Sequence, residues 1–298
     1  MVTLTFSMLS GSIAGSAQST VQEKKVLDPL EGEQNIAEPT SGTVLMGRMG
    51  PRPIDQTTFD QIFAGYKGCF VELNPQDSDS YVCYQFIQAN TPLSPCSTFK
   101  IPNSMIGLET GVLKDENHLM KWDGVVHTIK PWNQDQTLKS AVANSVVWYF
   151  QRVAAAVGKQ RMQHYLNLID YGNKDISSGI TNFWLERSLK ITAFEQAAFL
   201  NKLQQSKLPF SQRTINITKE VIFLKETPIG KLYGKTGSGT GNNEKFKSVE
   251  DCNLGWFVGY IVTKEGTFPF ATNIQGNGAW GKKAREITET ILEKQGLL

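Results

Sequence analysis

Segments with strand character lie towards both ends of this 298-residue chain, and a long helical stretch separates them. Gly68 to Leu73 and Tyr81 to Ile87 read as strands before it, and Lys231 to Thr236, Gly255 to Val262 and Phe268 to Asn273 read as three consecutive strands after it. In between, Ser140 to Val157, Lys159 to Leu168 and Ala193 to Gln205 carry apolar residues at helical spacing, divided by Gly and Pro. A short helix over Thr57 to Gly65 and an amphipathic tail from Ala279 to Lys294, with Ala284, Ile287, Ile291 and Leu292 on one face, bracket the whole. Strands so far apart pair only if the chain returns on itself. The expected fold is therefore α+β: one antiparallel sheet built by both ends, flanked by N- and C-terminal helices, with an inserted all-helical subdomain. The sheet part is placed at about residues 56–96 and 210–298 and the helical part at about 97–209, with a cleft between them where a site can form.

Residues 1–55 are expected to lie outside that domain, which spans 56–298. The first 19 residues are apolar and small and end in Gly15-Ser16-Ala17, a composition that suits a secretory leader although no Lys or Arg precedes it. A periplasmic or secreted location is the expectation. From Val21 to about Pro53 the chain is polar, rich in Glu, Gly, Pro and Thr and without periodicity, and reads as a mobile linker.

The formal net charge is +2, with no basic stripe and no long run of like charge, so nothing marks a nucleic-acid partner or an anionic membrane. No run outside the leader is long and apolar enough to span a bilayer. Small molecules are the expected partners, and a homodimer is left open. The four cysteines, Cys69, Cys83, Cys96 and Cys252, form no C-x-x-C pair, and only three histidines could supplement them, which argues against a metal site. Cys69 and Cys83 flank a polar turn between two strands. A disulfide there and two free buried thiols are equally open readings.

The chemistry centres on Ser97-Thr98-Phe99-Lys100, followed by apolar residues at helical spacing. Ser97 then sits at a helix start and Lys100 one turn on, sharing a face. A hydroxyl and an amine side by side, with free backbone N–H groups at the same spot, supply a nucleophile, a base and part of an oxyanion hole. Two fixed residues are weak alone. Three further stations follow in order: Ser145-Val146-Val147 on a helical run, Tyr171-Gly172-Asn173 in a loop and Lys235-Thr236-Gly237 on a strand.

Together with Trp184-Leu185, these motifs resemble, in order and spacing, the full set of the class D (oxacillinase-type) serine β-lactamases, whose fold is that of β-lactamases and penicillin-binding transpeptidases. The resemblance runs from about Thr57 to the C-terminus. It implies hydrolysis of penicillin-type β-lactam antibiotics through an acyl-enzyme on Ser97, with Lys100 as base. No metal and no bound cofactor are implied, except CO2, which converts Lys100 to a carbamate. An ordinary lysine, with a pKa near 10.4, is a poor base at neutral pH. Phe99, Val147, Trp184 and Leu185 would enclose the Lys100 amine, with the Trp184 indole donating to the carbamate. Ser145 would relay a proton to the leaving ring nitrogen, with Lys235 keeping it polarised. Thr236 and Gly237 would bind the substrate, and the backbone N–H groups of Ser97 and Ser238 would form the oxyanion hole. Tyr171 would shape the substrate-binding cleft. The family commonly places an Arg at the start of the last helix to bind the substrate carboxylate; here Arg285 is the candidate for that contact, although alignment through Ile287 puts Ala284 at that place.

Two rivals share the fold. A penicillin-sensing domain acylates without turning over and commonly carries a polar residue where Val147 stands, and a D-alanyl-D-alanine peptidase typically has Asn there. A Ser-His-Asp hydrolase is set aside because no Gly-x-Ser-x-Gly elbow occurs.

Overall fold

A computed structural model describes residues 44–46, 54–74, 77, 80–240 and 249–298. All of them fall within one unit, Pro39–Leu298. The leader and most of the linker expected at 1–55 lie outside the described residues, as does most of the loop after Thr240.

The chain opens with strand β1 (Val44–Met46), helix α1 (Gln56–Ile62), strands β2 (Lys67–Leu73) and β3 (Tyr81–Tyr84) and a single helical turn, α2 (Phe86–Ala89). A 3₁₀ turn over Cys96–Phe99 runs directly into α3 (Lys100–Glu109). Then come α4 (Leu138–Ala143), α5 (Val147–Val157), α6 (Lys159–Leu168), α7 (Ala193–Gln204) and α8 (Gln212–Val221). Strands β4 (Phe223–Glu226), β5 (Gly230–Gly239), β6 (Leu254–Thr263) and β7 (Gly266–Gln275) and helix α9 (Gly281–Lys294) close the chain. The strands form one antiparallel sheet in the order β1-β3-β2-β7-β6-β5-β4. The pairing of β2 with β7, Lys67 opposite Gln275 through Glu72 opposite Phe270, joins the two ends of the chain.

Both faces of the sheet are covered, and strand alternation explains how one sequence serves both. On β6, Phe257 and Ile261 join Phe59 and Phe63 from α1 and Ala284, Ile287 and Ile291 from α9 in one cluster. Trp256, Val258 and Tyr260 point the other way, into the larger cluster shared with the helices. Helix α7 packs on that second face against β2, β6 and β7, and α3 packs between α5 and α8. Capping sets several helix starts. Thr192 and Glu195 form a reciprocal box at α7, Thr137 and Ser140 do the same at α4, and Asp55 accepts the Thr58 N–H at 2.8 Å at α1.

Three local expectations are corrected and one open reading is decided. Val44–Met46, placed in the polar linker, pairs with Val82 to Tyr84 as an edge strand; three apolar residues among Gly and Pro are too few to show a period. The strand expected to reach Ile87 stops at Tyr84, because Gln85 takes φ 59° and turns the chain into α2. The single helix expected from Ser140 to Val157 is two helices, with Ser145 at φ 53° in the break. The cysteines are four buried free thiols, so the disulfide option is not realised. The register sets Cys83 opposite Val71, two residues from Cys69, and Cys69 accepts a hydrogen bond from Asn273 Nδ2 at 3.1 Å.

Among the described residues no helix is long and apolar enough to cross a membrane, and no cluster of three or more His, Cys, Asp or Glu side chains gathers in a way that could hold a metal ion.

Candidate active site

Ser97 lies on the turn between Pro95 and α3, partly open to solvent, while Lys100 one turn on is fully buried. The turn brings the two together: Lys100 Nζ donates to Ser97 Oγ at 2.7 Å. Burial, helped by the nearby charge of Lys235, pushes the Lys100 pKa well below its usual 10.5, because an ammonium without water is penalised. The shift favours the amine over the ammonium. The Phe150 ring lies 5.5 Å beneath it, and Asn103 Nδ2 ties the two helices through the Phe150 carbonyl at 3.2 Å.

Of the residues expected around Lys100, the adjacent Phe99 packs in an aromatic group with Phe183 and Trp184. Phe99 stacks on Trp184 at 5.4 Å and meets Phe183 edge-on at 5.0 Å. Phe99 and Trp184 are fully buried; Val147 at the start of α5 and Leu185 after Trp184 are half-buried. Trp184 Nε1 is buried and finds no hydrogen-bond partner among the described residues. A buried indole N–H is costly to leave unpaired, so an acceptor belongs there.

Ser145 and Lys235 form the opposite wall. Lys235 Nζ donates to Ser145 Oγ, to the Thr236 carbonyl at 3.0 Å and towards the Thr236 hydroxyl at 3.4 Å. The side chain faces the helices because Lys235 is paired with Val258, whose own side chain lies in the helical cluster. Burial lowers the Lys235 pKa to about 7. The helix break at Ser145 turns its hydroxyl out towards β5.

The end of β5 meets the nucleophile turn at backbone distance. A Cβ on Gly237 would stand 2.9 Å from the Pro95 oxygen and 3.2 Å from the Thr98 nitrogen, so only glycine permits this approach. Gly234 donates its N–H outward to the Ile222 carbonyl at 2.8 Å. Alternation along the strand turns the Thr236 and Ser238 N–H groups to that same edge, past the end of β4, beside Ser97. The Ser238 hydroxyl accepts the Gly281 N–H at 2.9 Å, seating the start of α9 on the strand.

Two expected substrate contacts are not brought to the cleft. Tyr171 is buried behind the Ser97 turn: its hydroxyl donates to Gln196 Oε1 at 3.2 Å, and Gln196 Nε2 donates to Thr98 Oγ1 at 2.8 Å. It braces the turn from the rear, and the burial needed for that removes it from solvent. Arg285 lies over the Phe257 ring at 5.8 Å, on the α9 face of the sheet, and donates to Glu289 Oε1 at 2.6 Å. Ala284 occupies the inward position of the helix, so the next residue is rotated away.

Other contributors carried weaker signals. Phe150 sits one turn after Val147, where helical spacing from Val147 could have found it. Trp132, half-buried, donates its indole N–H to the Asn144 carbonyl at 2.9 Å and so fixes the turn that presents Ser145. It lies in an irregular stretch with no period to read. Cys96, at φ 49° before the nucleophile, is buried, and its thiol is pushed up to about 12 by burial and the nearby Glu186 charge; it is no rival nucleophile.

Comparison with known proteins agrees with this geometry. The family described as the penicillin binding protein transpeptidase domain matches residues 68–293. A curated relative, the probable beta-lactamase YbxI of Bacillus subtilis (strain 168), is 39% identical over 245 residues, covering 82% of this chain and 87% of its own. The solved class D beta-lactamase of Bacillus subtilis superposes with a TM-score of 0.74 at 40% identity, over 80% of this chain and 96% of that one. The regulatory protein BlaR1 of Bacillus licheniformis is 37% identical over 244 residues, which cover 82% of this chain but 39% of BlaR1. With this fold, this order of motifs and these similarities, the chain belongs to the class D β-lactamases, within the family of the penicillin-binding transpeptidase domain.

Proposed function

We propose that the protein opens the ring of penicillin-type β-lactams through an acyl-enzyme on Ser97. The observation that carries this is the 2.7 Å contact between Ser97 Oγ and the Lys100 amine, fully buried and depressed in pKa. Serine is a weak nucleophile unless a base stands at hydrogen-bond distance, and this is the arrangement required. Ser97 Oγ would attack the lactam carbonyl, whose oxygen would be received by the N–H groups of Ser97 and Ser238. Ser145 would hand a proton to the departing nitrogen, and Lys235 would compensate the charge that develops there. Thr236 and Gly237 line the edge along which the substrate would lie.

The reading includes a carbamate on Lys100, formed with dissolved CO2. The unpaired Trp184 indole N–H and the apolar wall of Phe99, Val147, Leu185 and Phe150 fit such a group: the first would hold its oxygen, and the others keep the amine neutral before it reacts. When present, the carbamate supplies an oxygen base for the Ser97 proton and for the water that frees the product. An address outside the cytoplasm is part of the reading and is supported by the composition of residues 1–19.

Similarity to BlaR1 favours a second reading, a penicillin receptor that stays acylated. The apolar Val147 speaks for hydrolysis. Intact-mass spectrometry during exposure to benzylpenicillin separates the two: a transient adduct on Ser97 with accumulating product supports hydrolysis, a permanent adduct supports the receptor, and no adduct removes both.

A further inference from the structure

The loop bearing Trp184 and the strand end bearing Ser238 are remote in sequence, and one side chain bridges them. Glu186 Oε2 accepts the Thr240 N–H at 2.7 Å and the Thr240 hydroxyl at 3.3 Å, across 54 residues. Its Oε1 lies against Gly239, where an added Cβ would come within 2.6 Å of it. A carboxylate accepting a backbone N–H makes a stronger bond than a neutral pair does, so this is a firm tie.

The Glu186 backbone is committed to the same region. Its φ of 55° places a residue with a side chain in the left-handed region, a conformation that persists only where the surroundings enforce it. Here they do. The Glu186 N–H donates to Ser94 Oγ at 2.9 Å, and that hydroxyl donates in turn to the Trp184 carbonyl at 2.9 Å. The Ser94 carbonyl accepts the Trp256 indole N–H at 2.9 Å, which fastens the cluster to the sheet. Ser94 leads directly into Pro95 and the nucleophile turn. One residue therefore reaches the Trp184 wall, the strand end and the approach to Ser97.

The geometry points to Glu186 as a positioning residue for the proposed reaction. Through Thr240 it sets where the Ser238 N–H lies, and through its own backbone it sets the Trp184 wall of the Lys100 pocket. Glu186 is hydrogen-bonded to neither Ser97 nor Lys100, so its action is indirect. Acylation depends on the oxyanion edge and deacylation on the surroundings of Lys100. A brace common to both lowers both when removed, whereas a contact that served folding alone would lower the melting temperature and leave the rate constants of the folded fraction unchanged. This inference rests on the reading of Ser97 as an acylated nucleophile.

The test uses the full chain with nitrocefin and benzylpenicillin. Acylation and deacylation constants, their dependence on added bicarbonate and the melting temperature are measured for wild type, Glu186→Gln and Glu186→Ala. Glu186→Ala is expected to lose about tenfold or more in both constants and to need more bicarbonate. Glu186→Gln keeps an acceptor for the Thr240 N–H and is expected to stay within about threefold of wild type. Should the Ala variant not fold, Glu186→Asp decides, since its shorter side chain withdraws the carboxylate from Thr240: a paired loss supports the brace, and unchanged constants overturn it. Constants within about twofold of wild type in a folded Glu186→Ala protein also overturn it, as does a Gln variant no better than Ala. A wild-type protein that forms no adduct on Ser97 would instead sink the function on which the inference rests.

Discussion

Lys235 stands near enough to Lys100 to depress its pKa, although the two amines donate to different hydroxyls, those of Ser145 and Ser97. Two buried ammonium groups so placed repel, and this adds to burial in lowering the proton affinity of Lys100. The proposed reaction divides the roles: Lys100 would accept a proton, and Lys235, partnered by Ser145 and the Thr236 carbonyl, would carry charge towards an anionic substrate.

That division sets the pH profile. The folded pKa of Lys235 is about 7 against an ordinary 10.5, so its charge is lost as the pH rises through about 7. For a free enzyme that needs this charge, kcat/KM should fall on the alkaline side of about 7, and Lys235→Arg, whose guanidinium stays charged, should move that limb upward by at least about two pH units if the variant folds natively. An alkaline limb at the same pH in both proteins would detach it from Lys235.

Stability follows the same group with the opposite sense. Between about 7 and 10.5 the unfolded chain holds a proton on Lys235 that the folded chain lacks, so wild-type stability rises with pH across this window, and below it the penalty is constant. Lys235→Met removes the penalty. Its advantage in denaturant midpoint over wild type should narrow as the pH is raised from about 7 to about 10.5, and a constant gap would contradict the shift.

Ser97→Ala should abolish hydrolysis of benzylpenicillin and change the unfolding free energy by only about 1 kcal/mol, since the hydroxyl makes one hydrogen bond, from Lys100. Turnover surviving in that variant, followed by absorbance, would refute the assignment of the nucleophile.

Trp184→Ala should cost about 3–5 kcal/mol of stability for a fully buried indole and should make turnover strongly dependent on bicarbonate. Wild type equilibrated with labelled bicarbonate should show a carbamate carbon resonance by 13C NMR. Its absence, together with bicarbonate-independent turnover in both proteins, would exclude carboxylation of Lys100.

Arg285→Ala and Tyr171→Phe test the two residues that lie away from the cleft. The first loses an ion pair with Glu289 worth about 0–1 kcal/mol at a partly exposed site, and the second a buried hydroxyl contact worth about 1 kcal/mol. Both should keep the wild-type KM for benzylpenicillin. A several-fold rise in KM for Arg285→Ala would return that residue to the substrate site.

Where side chains recur at a fixed period, the sequence was informative. Ser97 and Lys100 share a face because one helical turn separates them, and the apolar run from Gly255 to Val262 read as a strand, which the structure buries on both faces. What escaped notice depended on single dihedral angles. Ser145 breaks a helix at φ 53° without Gly or Pro to mark it, and Gln85 ends a strand in the same way. Direction was also hidden. Nothing in Tyr171-Gly172-Asn173 tells that the ring turns inward to Gln196, and Glu186 looks like any loop carboxylate until Thr240 arrives beside it from 54 residues away.

The pairing of β2 with β7 places Lys67 to Glu72 against Phe270 to Gln275. A chain growing from its N-terminus therefore carries β2 paired to β3 at most, without its β7 partner, until nearly all of it has been synthesised. Contacts this remote form late and slowly. Ser97 and Lys100 lie within one turn of each other, but Lys235 and Ser238 come only with β5 near the end of the chain, so on the proposed mechanism a nascent or truncated chain would hold a hydroxyl and an amine without the means to acylate. Antibiotic turnover should thus report complete synthesis and folding, with no graded activity from partial products.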